Sequence, residues 1–243
     1  MTIQQYAEIS RQPRYSVLFA LPLLLLYEGL AAILSGSAMA GVRNGADVLL
    51  KSLFLYLGGR EGVLVFGVFL VGLGGWVVWR DMGRHGADLS GRVFAAMLVE
   101  SLLYAAVLGQ VVAVLTASLL GGSLVVSLQG PLETLPLASQ LVVSLGAGLY
   151  EELLFRVLLV SGFLALGLRA GWKRPLAVAF AVFASALVFS AFHYIGPYGD
   201  RLTVASFTFR TVAGLVLSGL YVTRGFGITA WSHALYDVGL AVM

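Results

Sequence analysis

Cysteine is absent from the 243-residue chain, and charged residues make up only 11% of it. The lack of cysteine excludes disulfides, thiol nucleophiles and thiolate metal ligands. Soluble domains carry about 25% charged residues, so this low content excludes an ordinary soluble domain. Because 59% of the residues are hydrophobic, we expect an integral membrane protein.

The chain also lacks a large excess of positive charge, since its formal net charge is +3. This value gives no reason to expect a nucleic-acid partner. The distribution of Arg and Lys is more informative, because cytoplasmic loops are enriched in them. With the N-terminus inside, nine would lie in inner segments and four in outer ones, which favours that orientation. The outer four are Arg43, Lys51, Arg60 and Arg201.

Long apolar runs predict an all-α, polytopic membrane helix bundle of about seven to eight transmembrane helices, forming one domain over 1–243. Seven hydrophobic segments can be separated: 17–34, 62–79, 94–120, 137–168, 175–193, 204–221 and 228–243. We expect residues 1–16 to lie on the membrane surface, and 41–60 to form a short amphipathic helix in the interface. Residues 37–40 resemble a signal-peptidase site, but the preceding run exceeds an ordinary signal segment, so a retained helix is favoured.

Three ionisable residues stand close together inside the apolar run 137–168, namely Glu151, Glu152 and Arg156. Each such group costs about 2.5–3.5 kcal/mol at membrane depth, so a functional role is the default interpretation. Glu152 and Arg156 are four residues apart and can pair on one helix face. Glu151 points elsewhere and has no partner within the motif, which leaves its carboxylate for another task.

Two of the three histidines also lie in apolar segments. His193 follows Phe189 by four residues, and His233 precedes Asp237 by the same spacing, so each pair shares a helix face. The third, His85, lies in a basic loop and needs no special role. Glu can accept a proton and His can relay one, so three segments bring groups that suit acid–base chemistry.

Structural explanations exist for each group separately. A lone buried His is more often a packing residue than a catalyst, and a buried Glu–Arg pair can simply tether a helix. We expect Glu28, Glu100 and Arg210, the other charges in the spans, to be structural, interfacial or lumen-facing. Burying several ionisable groups in apolar segments costs free energy, so their occurrence together favours a functional site over separate structural roles.

Three motifs therefore follow one another on late segments. They are Glu-Glu-x-x-x-Arg at 151–156, Phe-x-x-x-His at 189–193 and His-x-x-x-Asp at 233–237. Each alone is weak, but their order resembles the CPBP family over about 140–240. That family comprises CAAX prenyl endopeptidases of the Ras-converting type and bacterial relatives linked to bacteriocin processing and immunity. No motif covers the first 130 residues.

The resemblance implies an intramembrane endopeptidase located in a membrane, with a bacterial inner membrane expected. It implies that Glu151 and His193 activate a water molecule, and that His233 and Asp237 help to stabilise the oxyanion. The supporting positions that it implies are Glu152, Arg156 and Phe189. The implied partners are membrane lipid and a peptide or protein substrate that reaches the site from the membrane or its surface.

Asp237 departs from the pattern of the CAAX-processing members, which usually have Asn there. An amide can donate to an oxyanion, whereas an ionised carboxylate cannot. The departure favours a bacterial relative that acts on a peptide other than a CAAX sequence. We expect Asp237 to accept a hydrogen bond from His233 and so fix the tautomer of that ring.

A metal cofactor is left open by the sequence. Glu151, His193 and His233 would make an acceptable set of ligands for zinc with one open position. No His-Glu-x-x-His pair is present on one helix. We favour water activation by Glu without an obligatory metal.

Two other functional classes compete with the peptidase. A proton-coupled transporter would also need Glu and His in its spans, but no inverted repeat is detectable. A catalytically silent scaffold or immunity-type protein is the second alternative. The peptidase hypothesis requires Glu151, His193 and His233 to converge within about 8 Å in one membrane cavity.

Overall fold

The computed structural model describes residues 1–34, 42–122, 134–196 and 198–243, and this part of the chain contains helices but no strand. The all-α membrane bundle predicted from the sequence is confirmed. The residues at 37–40, with their resemblance to a signal-peptidase site, lie outside the described residues.

The helices are α1 (Ile3–Ser10), α2 (Pro13–Leu34), α3 (Gly45–Gly58), α4 (Gly62–His85), α5 (Gly91–Leu119), α6 (Leu137–Gly146), α7 (Ser161–Arg169), α8 (Arg174–Phe192), α9 (Val204–Arg224) and α10 (Phe226–Val242).

Five of these helices are individually long and apolar enough to cross a membrane, namely α2, α4, α5, α8 and α9. Between α6 and α7 the chain continues as a π-helix, Ala147–Val160. Together these three elements form one continuous helix over 137–169, here called the motif helix. The predicted interfacial segment contains α3, which has 14 residues and is too short to span a bilayer.

Helix α10 lies at the centre of the bundle, where it packs against α2, α5, α6 and the π-helical segment. The contact with the motif helix is a backbone contact. A Cβ atom on Gly148 would lie 2.4 Å from the carbonyl oxygen of Ala230 and 2.5 Å from Cβ of Ala234. Small residues allow membrane helices to approach this closely, and here they bring α10 against the glutamate motif.

Helices α8 and α9 form a hairpin that covers another side of the motif helix. The hydroxyl of Ser185 donates to the carbonyl of Phe155 at 2.6 Å, and the ring of Phe155 meets that of Phe189 edge-on at 5.2 Å between centroids. A polar bond and an aromatic contact therefore fix the position of α8. Both place the end of α8, with His193, beside the motif.

The N-terminal half is joined to the motif helix by a cluster of charges. Lys51 Nζ lies 2.7 Å from Glu28 Oε1 and 2.7 Å from Asp47 Oδ1. The hydroxyl of Tyr150 donates to Glu28 at 2.7 Å, and Arg43 Nη1 approaches Asp47 to 3.0 Å. We call these five residues the ionic cluster. It connects α2 and α3 to the residue that precedes Glu151.

Replacing Lys51 with Met should destabilise the fold, because Glu28 and Asp47 would lose a shared cation while Asp47 stays fully buried. Hydrogen bonds to charged groups contribute about 1.5–3 kcal/mol, so a lower midpoint of thermal unfolding in detergent is expected. The only other lysine, Lys173, is exposed, and Lys173→Met is the matched control. An equal loss in both variants would show that the cluster does not stabilise the fold.

Candidate active site

The glutamate motif lies in the π-helical segment rather than in an α-helix. Glu151, Glu152 and Arg156 are all buried there. Hydrogen bonds from residue i to i+5 widen such a helix, and π-helical turns occur frequently at functional sites. The sequence pattern predicted a helix at this place but not its widening. The angle between the two glutamates is therefore not the 100° of an α-helix.

Glu151 has one oxygen bound and one oxygen free. Its Oε1 accepts a hydrogen bond of 2.8 Å from Asn44 Nδ2. Its Oε2 is buried and has no hydrogen-bond partner among the described residues, and it lies 3.9 Å from Nε2 of His193. The free carboxylate oxygen expected from the sequence is thus present, and it faces the histidine of the second motif.

The orientation of His193 is set by its own helix end. The residue caps the C-terminus of α8, and its Nδ1 lies 2.8 Å from the carbonyl oxygen of Phe189. A carbonyl oxygen can only accept, so Nδ1 carries the proton. In the neutral ring, Nε2 then has a lone pair that points toward Glu151.

Glu152 is occupied by two partners, unlike its neighbour. Its Oε1 lies 3.2 Å from Arg156 Nη1 and 2.7 Å from His233 Nδ1. The predicted pairing of Glu152 with Arg156 is present. The guanidinium forms no hydrogen bond within the described part of the chain, and its Cζ lies 4.4 Å from the centroid of the Phe189 ring. A cation–π contact thus supplements the ion pair.

Phe189 is the point at which the motifs meet. Its ring centroid lies 4.6 Å from that of His193 and 6.3 Å from that of His233, and the side chain is 2% exposed. His193 follows the end of α8 and His233 lies in the middle of α10, and both rings lie against the ring of Phe189.

Asp237 does not make the hydrogen bond predicted for it. Its Oδ2 lies 3.5 Å from His233 Nε2, a contact between possible ions rather than a hydrogen bond. The bond that fixes the tautomer of His233 comes instead from Glu152 through Nδ1. The helical spacing of His233 and Asp237 suggested a partner on the same helix. Because α10 packs closely on the motif helix, Glu152, which is far away in the sequence, forms the hydrogen bond instead.

A small cavity adjoins His233 and Asp237. Its volume is about 80 Å³, and Arg210, Phe189 and Tyr236 also line it. A cavity of this size with several polar side chains in its wall can hold ordered water. Arg210 donates to Asp200 through both Nε and Nη2, at 3.1 and 2.7 Å, so its charge is balanced as expected for a structural group.

The two other charges predicted to be structural also lie in ion pairs. Glu28 belongs to the ionic cluster. Glu100 accepts from Arg224 at 2.6 and 2.7 Å and from the hydroxyl of Tyr6 at 2.6 Å, which links α1, α5 and α9. These contacts account for both carboxylates, which are partly exposed, without a catalytic role.

The proposed zinc ligands do not form a coordination site. Among the described residues, no three His, Asp or Glu side chains are arranged to hold a metal ion. Nδ1 of His193 and Nδ1 of His233 are bound to Phe189 and Glu152. The remaining ring nitrogen of His233, Nε2, lies 3.5 Å from Oδ2 of Asp237.

Asn44 contacts Glu151, and the sequence analysis did not predict this contact. Asn44 is 2% exposed and precedes α3 as its N-cap, far from the motifs along the chain. The only signal available was Asn-Gly-Ala-Asp at 44–47, which is typical of a helix start. Such a pattern does not reveal which side chain the cap residue also contacts.

The comparison with protein families concerns the segment that carries the three motifs. Residues 133–239 match the family described as type II CAAX prenyl endopeptidase Rce1-like. The similarity is limited to this segment, which is less than half of the chain. The match covers all three motifs and confirms the resemblance seen in the sequence. No curated protein and no solved structure shows significant similarity to the chain. The match supports a membrane protease at the level of the family, and five of the described helices are long and apolar enough to cross a membrane.

The two glutamates should respond differently to substitution. Glu152→Gln leaves Arg156 buried without a counter-charge, at a cost on the order of 3–5 kcal/mol, so we expect little folded protein. Glu151→Gln keeps an oxygen that can accept from Asn44 and should fold normally. Size-exclusion chromatography of both variants in detergent measures this, and similar yields of folded protein would contradict the assignment.

Proposed function

We propose that this protein is an intramembrane endopeptidase that hydrolyses a peptide bond with a water molecule activated by Glu151 and His193. The observation that carries the proposal is the short distance between one atom of each side chain, Oε2 of Glu151 and Nε2 of His193. Glu151 Oε2 is buried and free of hydrogen bonds within the described chain, and His193 Nε2 lies 3.9 Å away.

Both facing atoms are hydrogen-bond acceptors when Glu151 is ionised and His193 is neutral. Two acceptors do not bond to each other, but one water can donate a hydrogen to each. At an ordinary length of about 2.8 Å to both atoms, the angle at the water would be roughly 90°. The lone pairs of such a water point away from the pair, toward a substrate carbonyl carbon.

The reaction then follows from general base catalysis. The water oxygen bonds to the carbonyl carbon, and its proton passes to the Glu151–His193 pair. The carbonyl oxygen becomes an oxyanion. When the C–N bond breaks, the same proton moves to the departing nitrogen, which leaves as an amine, and the other product is a carboxylic acid.

We assign the stabilisation of the oxyanion to His233. Because Nδ1 donates to Glu152, the ring can donate from Nε2 only when it carries a second proton. Such an imidazolium would lie between the carboxylates of Glu152 and Asp237, which balance its charge. An Asp can therefore replace the Asn of CAAX-processing members if the donor to the oxyanion is the charged ring.

The substrate is a peptide or protein segment that enters from the membrane or its surface. With Asp237 in place of Asn, we favour a peptide other than a prenylated CAAX sequence. The resemblance to bacterial relatives supports a bacterial inner membrane as the location.

The proposed mechanism needs no obligatory metal, because a carboxylate and an imidazole act on the water. The link between Glu28 and Tyr150 supports one membrane domain over the whole chain.

Peptidase activity is tested by comparing peptides from cells with the protein, without it, and with Glu151→Gln. We expect peptides that depend on the protein and disappear with Glu151→Gln or His193→Gln, because either change removes a group that can take up the proton of the water. Glu8 is exposed, and Glu8→Gln is the matched control. Peptide profiles that do not change with Glu151→Gln would favour a silent scaffold.

Asp237→Asn should lower the rate of cleavage by about tenfold while the protein stays folded. The change removes one of the two carboxylates beside His233, so a doubly protonated ring is less favoured. The rate is measured on purified protein in vesicles, together with the metal content. Unchanged or faster cleavage would mean that the amide donates to the oxyanion, as in the Asn-bearing relatives.

A further inference from the structure

We propose that Asn44 is a positioning residue for Glu151, supplied by the part of the chain that precedes the Rce1-like segment. This inference rests on the proposed function for its meaning, since Glu151 is the residue that would activate water. Its physical basis is separate, because it follows from the contacts of one buried amide.

The direction of the amide is fixed by its two partners. Asn44 Oδ1 accepts a hydrogen bond of 2.9 Å from the backbone N–H of Ala46, the N-cap bond of α3. The other end of the amide must therefore be Nδ2, which donates to Glu151 Oε1 at 2.8 Å. Because the oxygen of the Asn44 amide accepts the N-cap hydrogen bond, the group directed toward Glu151 is the NH2 donor and not a second acceptor.

This bond also fixes the rotation of the carboxylate. With Oε1 held by Asn44, the carboxylate plane can present only Oε2 to His193. Without the amide, rotation of the side chain would exchange or displace the two oxygens. A general base is effective only when its lone pair points at the water, so the amide affects the geometry of the step without touching the substrate.

The surroundings of Asn44 hold the amide in place. A Cβ atom on Gly146 would lie 2.6 Å from Cβ of Asn44 and 2.6 Å from Cε2 of Tyr27, so glycine allows α3 to approach the motif helix. The hydroxyl of Tyr27 donates to Asp47 at 2.6 Å in the first turn of α3. The ionic cluster thus anchors the helix that Asn44 caps.

Two substitutions of Asn44 keep the N-cap hydrogen bond but remove the amide group that donates to Glu151. Asn44→Thr and Asn44→Ser both keep an oxygen suited to the N-cap and bury no new charge, so both should fold. Neither offers an N–H to Glu151, because the hydroxyl oxygen of each is held at the cap, one bond closer to the backbone than Nδ2. Thr2→Ala, which removes the cap of α1, is the control for loss of a cap elsewhere.

The first measurement does not depend on peptidase activity. A hydrophobic carbodiimide reacts with buried carboxyl groups, and mass spectrometry reports labelling at Glu151. A carboxyl group that has lost its donor is held less firmly, so both Asn44 variants should label several-fold faster than wild type and Thr2→Ala. Equal labelling in all four proteins would overturn the inference, whether or not the wild type cleaves peptides.

The second measurement is steady-state cleavage of a peptide identified from the cells. Loss of a hydrogen bond to a charged group should lower kcat about 10- to 100-fold and leave KM within about twofold, because Asn44 does not contact the substrate. A rise in KM alone, or full activity in both variants, would also overturn it. A wild type without activity would defeat the proposed function, and labelling would still decide the role of Asn44.

Discussion

The need to balance charge inside an apolar helix determines most of this structure. Arg156 and Glu152 have no exposed surface, and Glu151 is 7% exposed. A buried ion without a partner costs several kcal/mol, so each charge must meet another group. The motif helix supplies only the pair Glu152–Arg156. The remaining partners come from other elements, and those elements must pack where the charges are.

This requirement explains why the closest helix contacts occur beside the motif. Membrane helices gain little from hydrophobic association, because lipid is as apolar as their side chains, and they depend on close packing and polar bonds. Gly148 allows α10 to bring His233 to Glu152, and Gly146 allows Asn44 to approach Glu151. Close packing and hydrogen bonding therefore act at the same positions.

The two adjacent glutamates differ because their neighbourhoods differ. Glu152 Oε1 meets both a guanidinium and an imidazole, so this side chain is fixed as part of the framework. Among the described residues, the hydrogen bond to Glu151 comes from an amide, which does not neutralise its charge, and its second oxygen faces His193. A carboxylate held by two side chains and a carboxylate with one unbonded oxygen can thus stand side by side, since the tertiary partners and not the residue type distinguish them.

The ionic cluster gives the N-terminal half a part in this arrangement. Lys51 and Arg43 balance Glu28 and Asp47, and Tyr150 joins the cluster to the motif helix. Because these bonds are directional, they set the rotation of α3 as well as its position. An apolar contact could not specify the orientation of the helix end that carries a capping amide.

The sequence by itself determined the membrane class, the approximate helix bounds and the three motifs, because hydrophobic length and local spacing are properties of neighbouring residues. It also indicated the pairing of Glu152 with Arg156, which are one turn apart. Only the tertiary structure decided that Glu152 rather than Asp237 orients His233, and that Asn44 reaches Glu151. These contacts join residues about 80 and 107 positions apart, and the packing of helices at glycines, which no local pattern encodes, brings them together.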